Sequence, residues 1–195
     1  MKRPLVVIAA LTVLTLMFAS SHRAVAQDDT PQPYPSADPH TYDDPAMHFQ
    51  APKGYHLIAR RLLSVNDLGD PQIVAGWVKN PGQQDMRAIA IAVEQFQGNV
   101  EDYRNTVSNE IRSKLADAIV ANQERTQTPN GMPAYFLSVT SGSGFNGQKI
   151  FDLIWADGTR GVSISISGAL GSLKEDEARK ALANVSAVRY PLGRL

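Results

Sequence analysis

The sequence contains no cysteine. That excludes a disulfide framework, thiol catalysis and cysteine-ligated metals. It also removes the residue to which a lipid would be attached in an exported lipoprotein. An excess of positive charge is missing too: Lys plus Arg and Asp plus Glu number 19 each. Nucleic-acid binding needs concentrated Lys and Arg, as does a polybasic membrane patch. Neither partner is expected. Imidazoles are scarce, and beyond residue 26 they are His40, His48 and His56. No internal repeat is visible.

A single long hydrophobic run is present, at the N-terminus. Lys2 and Arg3 precede an uncharged apolar stretch from Leu5 to Ala19, and Ala24-Val25-Ala26 places small residues where a signal peptidase reads them. This pattern predicts a secretory signal peptide over residues 1–26, cleaved after Ala26. The run is short for a membrane-spanning helix, so no membrane span is expected after cleavage. Cleavage removes Lys2, Arg3 and Arg23, leaving 19 − 3 = 16 basic residues against 19 acidic ones.

Residues 27–44, QDDTPQPYPSADPHTYDD, are rich in Pro and Asp and poor in aliphatics. Such a segment buries too little apolar area to offset its ordering entropy. It is expected to be a flexible acidic tether, followed by one domain over residues 45–195.

That domain opens with strand patterns: Met47 to Gln50, stopped by Pro52; Tyr55 to Ser64; Ile73 to Lys79; and Arg87 to Phe96. In the last of these, Ile89, Ile91 and Val93 alternate with Ala88, Ala90 and Ala92. A strand apolar on both faces belongs inside a sheet covered on both sides, and the alanines would let a helix approach closely. A helix is expected next, N-capped by Asn99, with Glu101 and Asp102 in its first turn. Its apolar stripe is Tyr103, Val107, Ile111 and Leu115.

Strands resume over Ile119 to Thr126, Met132 to Val139, Ile150 to Ala156 and Gly161 to Ser167. The last two form a hairpin through Asp157-Gly158. With those residues at the tip, Leu153 opposes Val162 and Phe151 opposes Ile164. Phe151, Leu153, Trp155, Val162 and Ile164 then share a core face. Asp152, Ser163 and Ser165 share the other, expected to be solvated, with Asp152 cross-strand from Ser163. Ser172 to Glu175 reads as a capping box for a closing helix, in which Glu175 and Arg179 can pair. Residues from Ser186 to Tyr190 read as a tail. Hairpin connections dominate, so the class is α+β with an antiparallel sheet, flanked by helices.

Several patterns invite a chemical reading. Asp152 and Ser163 would need a histidine to make a nucleophilic triad, and no G-x-S-x-G elbow is present. His40, Asp43, Asp44 and His48 gather hard and borderline ligands within nine residues, but in no established spacing. Glu101-Asp102 and Glu175-Asp176-Glu177 are explained by helix first turns. Ala51-Pro52-Lys53-Gly54 lacks the spacing of a phosphate loop and precedes a strand. It is expected to be a turn joining the first two strands, with Lys53 solvated. Gly142, Gly144 and Gly147 spell G-x-G-x-x-G, but a strand rather than a helix is expected to follow. Tyr55, Trp77, Tyr103, Tyr135, Phe136 and Trp155 could line a groove, although core packing is the default for such residues.

Two short motifs carry a family resemblance. Phe49, Pro52, Gly54 and Tyr55 are similar to the F-x-x-P-x-G-W entry of PsbP-like and DcrB-like domains, with tyrosine where tryptophan is common. Gly131-Met132-Pro133-Ala134-Tyr135 resembles that family's G-x-P-A strand entry. The likeness covers roughly residues 44–190. It implies a three-layer α/β/α sandwich around an antiparallel sheet. It also implies a largely non-enzymatic role in binding or stabilising partners, as in extrinsic proteins of photosynthetic membranes, bacterial exported proteins and lipoproteins, and a nuclear-transport accessory factor. The family has no shared catalytic set, so no catalytic, cofactor or metal residue is carried over.

The expectation is an exported, periplasmic or secreted, non-catalytic binding or assembly protein, with no cofactor. Its partner would be an extracytoplasmic protein or a small ligand. The alternatives are a secreted hydrolase using Asp152 or a histidine, and a small-molecule or metal carrier.

Overall fold

A computed structural model describes residues 38–44, 47–58, 72–115, 117–142 and 147–187. The expected signal peptide and residues 27–37 of the expected tether lie outside the described residues. So does most of the strand expected from Tyr55 to Ser64. The elements are β1 (Thr41–Asp44), β2 (Met47–Gln50), β3 (His56–Leu57), β4 (Gln72–Lys79), β5 (Arg87–Gln95), α1 (Val100–Lys114), β6 (Ile119–Gln127), β7 (Pro133–Ser141), β8 (Gln148–Ala156), β9 (Arg160–Ala169), α2 (Glu175–Leu182) and β10 (Val185–Ala187). Among the described residues no helix is long and apolar enough to cross a membrane.

The strands form two antiparallel sheets. The larger has seven strands in the order β3-β4-β5-β9-β8-β7-β6, and the smaller has three in the order β1-β2-β10. The centre of the large sheet is β9, whose Ile164 pairs with Ile91 of β5 on one side and with Leu153 of β8 on the other. Side chains alternate across a strand, so this register sorts the sheet into two faces.

One face carries Trp77, Ile89, Ile91, Phe151, Leu153, Trp155, Val162, Ile164 and Ile166, all buried in one cluster. The same cluster takes in Phe49 and Val185 of the small sheet and Ala178, Ala181 and Leu182 of α2. The rings of Phe49 and Trp77 lie 5.4 Å apart and join the two sheets. The Trp77 indole is fully buried and donates to the Pro39 carbonyl at 2.9 Å. Burying side chains of this size contributes ~1.5–3 kcal/mol each.

The opposite face is seated under α1. Val100, Tyr103, Val107 and Ile111 pack on Tyr135, Leu137, Val139, Ile150 and Ile154. The helix starts where its cap allows: the Asn99 side chain accepts from the Asp102 amide at 2.9 Å.

These layers correct the expected architecture. The fold is α+β with antiparallel sheets, but not a helix-flanked three-layer sandwich. Among the described residues α1 covers one face, and the small sheet and the short helix α2 together cover the other. Nor do Ala88, Ala90 and Ala92 receive α1, whose apolar cluster is built on β7 and β8.

Four local expectations also change. Residues 41–44, expected within the tether, form β1 and pair with β2, Tyr42 opposite Phe49. Ser186 and Ala187, read as part of a tail, form β10 together with Val185 and pair with β2 on its other side. The Pro52–Gly54 turn does not close a hairpin, because β2 and β3 belong to different sheets; it passes the chain from one to the other. The capping box at Ser172 does not form: Lys174 is the N-cap, and the Ser172 hydroxyl donates to the Ala169 carbonyl at 2.9 Å.

The hairpin register differs by two residues from the expected one. Ala156 pairs with Gly161 and Leu153 with Ile164, so the tip is Gly158-Thr159. Asp157 flanks the tip because its carboxylate accepts from the Thr159 and Arg160 amides at 3.0 and 2.8 Å. Gly158, at φ 98°, takes the first loop position, which fits a two-residue turn with glycine there. A shift of two preserves the faces, so the core assignment of the hairpin stands.

Candidate functional site

The polar layer beneath α1 holds a buried acid and a buried phenol, both with raised pKa. Its floor follows from strand pairing. Gly76, Ala90, Ser165, Asp152 and Leu137 form one row across β4, β5, β9, β8 and β7. Along β8, Asp152 stands between Ile150 and Ile154, both in the cluster that α1 covers. The face expected to be solvated is therefore buried: Asp152 is 0% exposed and Ser163 and Ser165 are buried with it.

Among the described residues neither carboxyl oxygen of Asp152 has a hydrogen-bond partner. Burial alone pushes its pKa up to about 7. Water stabilises a carboxylate far better than apolar side chains do. At neutral pH the group therefore sits near the balance between its neutral and charged forms.

Tyr103 reaches into the same layer from α1. Burial holds its phenol well above the ordinary tyrosine range, and the carboxyls of Glu94, Glu110 and Asp152 add to the effect. Glu94 comes from β5 and Glu110 from α1, one turn beyond Val107, and both are buried. Sequence reading passed over Tyr103 as core, which is correct for its ring, and passed over Glu94 and Glu110 altogether. A usable signal was the Ile150-x-Asp152-x-Ile154 spacing, which puts a carboxyl at the centre of an apolar strand face.

The other candidates are dispersed. Asp152 pairs across the strand with Ser165, not Ser163. His48 lies in the small sheet, where its imidazole contacts Asp43. His56 is exposed on β3, four strands from β8, roughly 19 Å away at the usual inter-strand spacing. The structure does not bring the serine, histidine and aspartate of a triad together.

The His40, Asp43, Asp44 and His48 set is also divided. Asp44 binds the Arg160 guanidinium at 3.0 Å and accepts from the Tyr42 hydroxyl at 3.2 Å. Among the described residues no group of three or more His, Asp and Glu side chains is placed to hold a metal ion.

The helix-start carboxylates have structural partners: Glu101 with Arg125 at 3.3 Å, Glu175 with Arg179 at 2.7 Å, and Glu177 with Arg87 at 3.1 Å. Gly147 leads into β8 rather than a helix, so the glycine motif has no helix N-terminus behind it; residues 143–146 lie outside the described residues. Lys53 is exposed in its turn. The six aromatics Tyr55, Trp77, Tyr103, Tyr135, Phe136 and Trp155 are all buried, so they pack the core rather than line a groove.

No protein-family model and no curated protein sequence matches the chain. The resemblance to PsbP-like and DcrB-like domains therefore rests on the two short motifs. Solved structures do match. PA94 of Pseudomonas aeruginosa, a protein of unknown function, is 14% identical with a TM-score of 0.51, over 70% of this chain and 98% of its own. That likeness concerns the fold. LpqN of Mycobacterium tuberculosis, involved in cell envelope biogenesis, is 11% identical with a TM-score of 0.47, over 74% of this chain and 86% of its own.

Proposed function

We propose that the chain is an exported, non-catalytic binding or assembly protein of the cell envelope or extracellular space, built on a PsbP-like or DcrB-like plan. Support for export comes from the Lys2-Arg3, apolar run and Ala24-Val25-Ala26 pattern. The observation that carries the non-catalytic reading is the separation of reactive groups. Asp152, whose pKa burial raises to about 7, lies beneath α1, while His48 and His56 sit on other parts of the sheets. General acid–base catalysis needs such groups within hydrogen-bond reach of a bound substrate.

A second reading, a secreted hydrolase, draws on the raised Asp152 pKa, because such groups concentrate at catalytic sites. One pair of experiments separates the two. Expression with the native N-terminus, followed by N-terminal sequencing of the extracytoplasmic protein, is expected to give Gln27 as the first residue. The purified protein is expected to show no turnover on ester, glycoside, phosphate and peptide substrates. Turnover that Asp152→Asn abolishes without unfolding the protein would establish the hydrolase instead.

A further inference from the structure

The seat of α1 has a carboxyl at its centre. On the same sheet face, Asp152 is surrounded by Ile150 and Ile154 along β8, Leu137 across on β7 and Ser165 across on β9. The two isoleucines and Leu137 belong to the apolar cluster with Val100, Tyr103, Val107 and Ile111 of the helix. An aliphatic residue at position 152 would continue that cluster. Instead the position holds a fully buried acid whose two oxygens have no hydrogen-bond partner among the described residues.

We propose that Asp152 is a proton switch beneath α1: protonated, it lets the helix seat on the sheet, and ionised, it loosens that seat. The inference is independent of any binding role and of the family resemblance.

The physical reason is the cost of an uncompensated charge. An ionised carboxylate buried without a partner must take a proton or acquire water. Water reaches this position only if an element covering it moves. Among the described residues the covering element is α1, a single helix of 15 residues. The strands around Asp152 are held on both sides by ladder bonds, so the helix is the part free to yield.

Among the described residues, the titratable groups facing this layer are acids and a phenol. From α1 they are Tyr103 and Glu110, and from β5 Glu94, all of which are neutral or negative when they titrate. Arg104, also on α1, is drawn over the Tyr135 ring at 4.9 Å. Leu137 and Ser165, the cross-strand neighbours, carry no charge. Burial alone raises the Asp152 pKa to about 7, so the switch would operate near neutrality. An exported chain meets external pH directly.

The test is amide hydrogen exchange of the purified exported chain at pH 5.5 and 8.5, corrected for intrinsic exchange rates, in the wild type and in Asp152→Asn. Exchange resolves local opening from global unfolding. In the wild type, protection of the α1 amides is expected to fall at least about tenfold more than that of the β9 amides, the change that one pKa unit of difference gives. In Asp152→Asn the α1 fall is expected to vanish, and Asp152→Leu, which extends the apolar cluster, serves if the Asn variant does not fold. Wild-type α1 protection that does not change with pH would overturn the proposal without any variant. So would an equal fall in Asp152→Asn or Asp152→Leu, or a fall abolished by Glu94→Gln or Glu110→Gln and retained in the Asp152 variants.

Discussion

Tyr103 lies against the backbone of Gly161: a Cβ at that glycine would stand 2.2 Å from Tyr103 Cε2 and 2.4 Å from its Cζ. The glycine thus provides the space into which α1 lays its aromatic ring on the hairpin. Phe96 flanks the ring with centroids 4.9 Å apart. The same ring carries the hydroxyl that reaches the buried acids, so the contact sets both packing and electrostatics in this layer.

Gly161→Ala is therefore expected to lower stability by overpacking, by about 1–3 kcal/mol. Chemical denaturation measures it. The cost should shrink markedly in a Tyr103→Ala background, since the clash partner is gone; a double-mutant cycle gives the coupling. An equal cost in both backgrounds would place the effect elsewhere in β9.

Arg87 is the buried cation of the opposite end of β5, 6% exposed. Its guanidinium donates to Glu177 at 3.1 Å, to the Ser172 carbonyl at 2.8 Å and to the Asp85 carbonyl at 3.1 Å. These bonds tie the turn before α2, and α2 itself, to the large sheet. Arg87→Ala is expected to cost about 2–3 kcal/mol, the scale of hydrogen bonds to a charged group. Glu177→Gln should cost under about 1 kcal/mol, because the Glu177 side chain is 40% exposed and a solvated ion pair is weak. Arg87→Lys should not rescue, because an ammonium cannot reproduce the planar fork. Urea midpoints of the three variants check the order.

Much of this layout was legible in the residues, and the parts that were not share a cause. The α1 start could be read because Asn99 and the Tyr103-Val107-Ile111 stripe are local signals. The two faces of β8 and β9 could be read because alternation survives a two-residue register shift. The register itself depended on side-chain chemistry at Asp157, which satisfies the amides of Thr159 and Arg160 and moves the tip. Strands β1 and β10 escaped because each is short and, among the described residues, pairs only with β2, a partner that sequence alone does not name for Val185. The burial of Asp152 escaped because polarity suggested solvent, whereas α1 decides what covers that face.

Asp157 supplies a pH dependence of opposite sign to that of Asp152. Burial pushes its carboxyl up, but the Arg160 side chain and the Thr159 and Arg160 amides outweigh this and hold it below the ordinary value of 3.8. A depressed folded pKa contributes stability above the unfolded value, lost as pH falls through the folded one. Asp157→Ala should therefore destabilise by about 1.5–3 kcal/mol at pH 7. The difference from wild type should diminish as pH drops from about 4 toward 2. Thermal melts across that range test it; a difference that stays constant would show that the carboxylate charge does not matter to the turn.

The Pro52-Lys53-Gly54-Tyr55 turn is where the chain leaves the small sheet for the large one, closed by the Tyr55 amide donating to the Pro52 carbonyl at 3.2 Å. Gly54 has φ 89°, and the nearest atom to a Cβ there, Lys79 Cε, is 4.0 Å away. Space is available, so the constraint is backbone conformation, which a β-branched residue resists. Gly54→Val is expected to cost about 1–3 kcal/mol and to lower the melting temperature. Lys53→Ala, at an exposed position without structural demand, should change stability by less than about 0.5 kcal/mol. A larger loss from Lys53→Ala than from Gly54→Val would mean that the lysine charge, rather than the glycine geometry, holds the crossing between sheets.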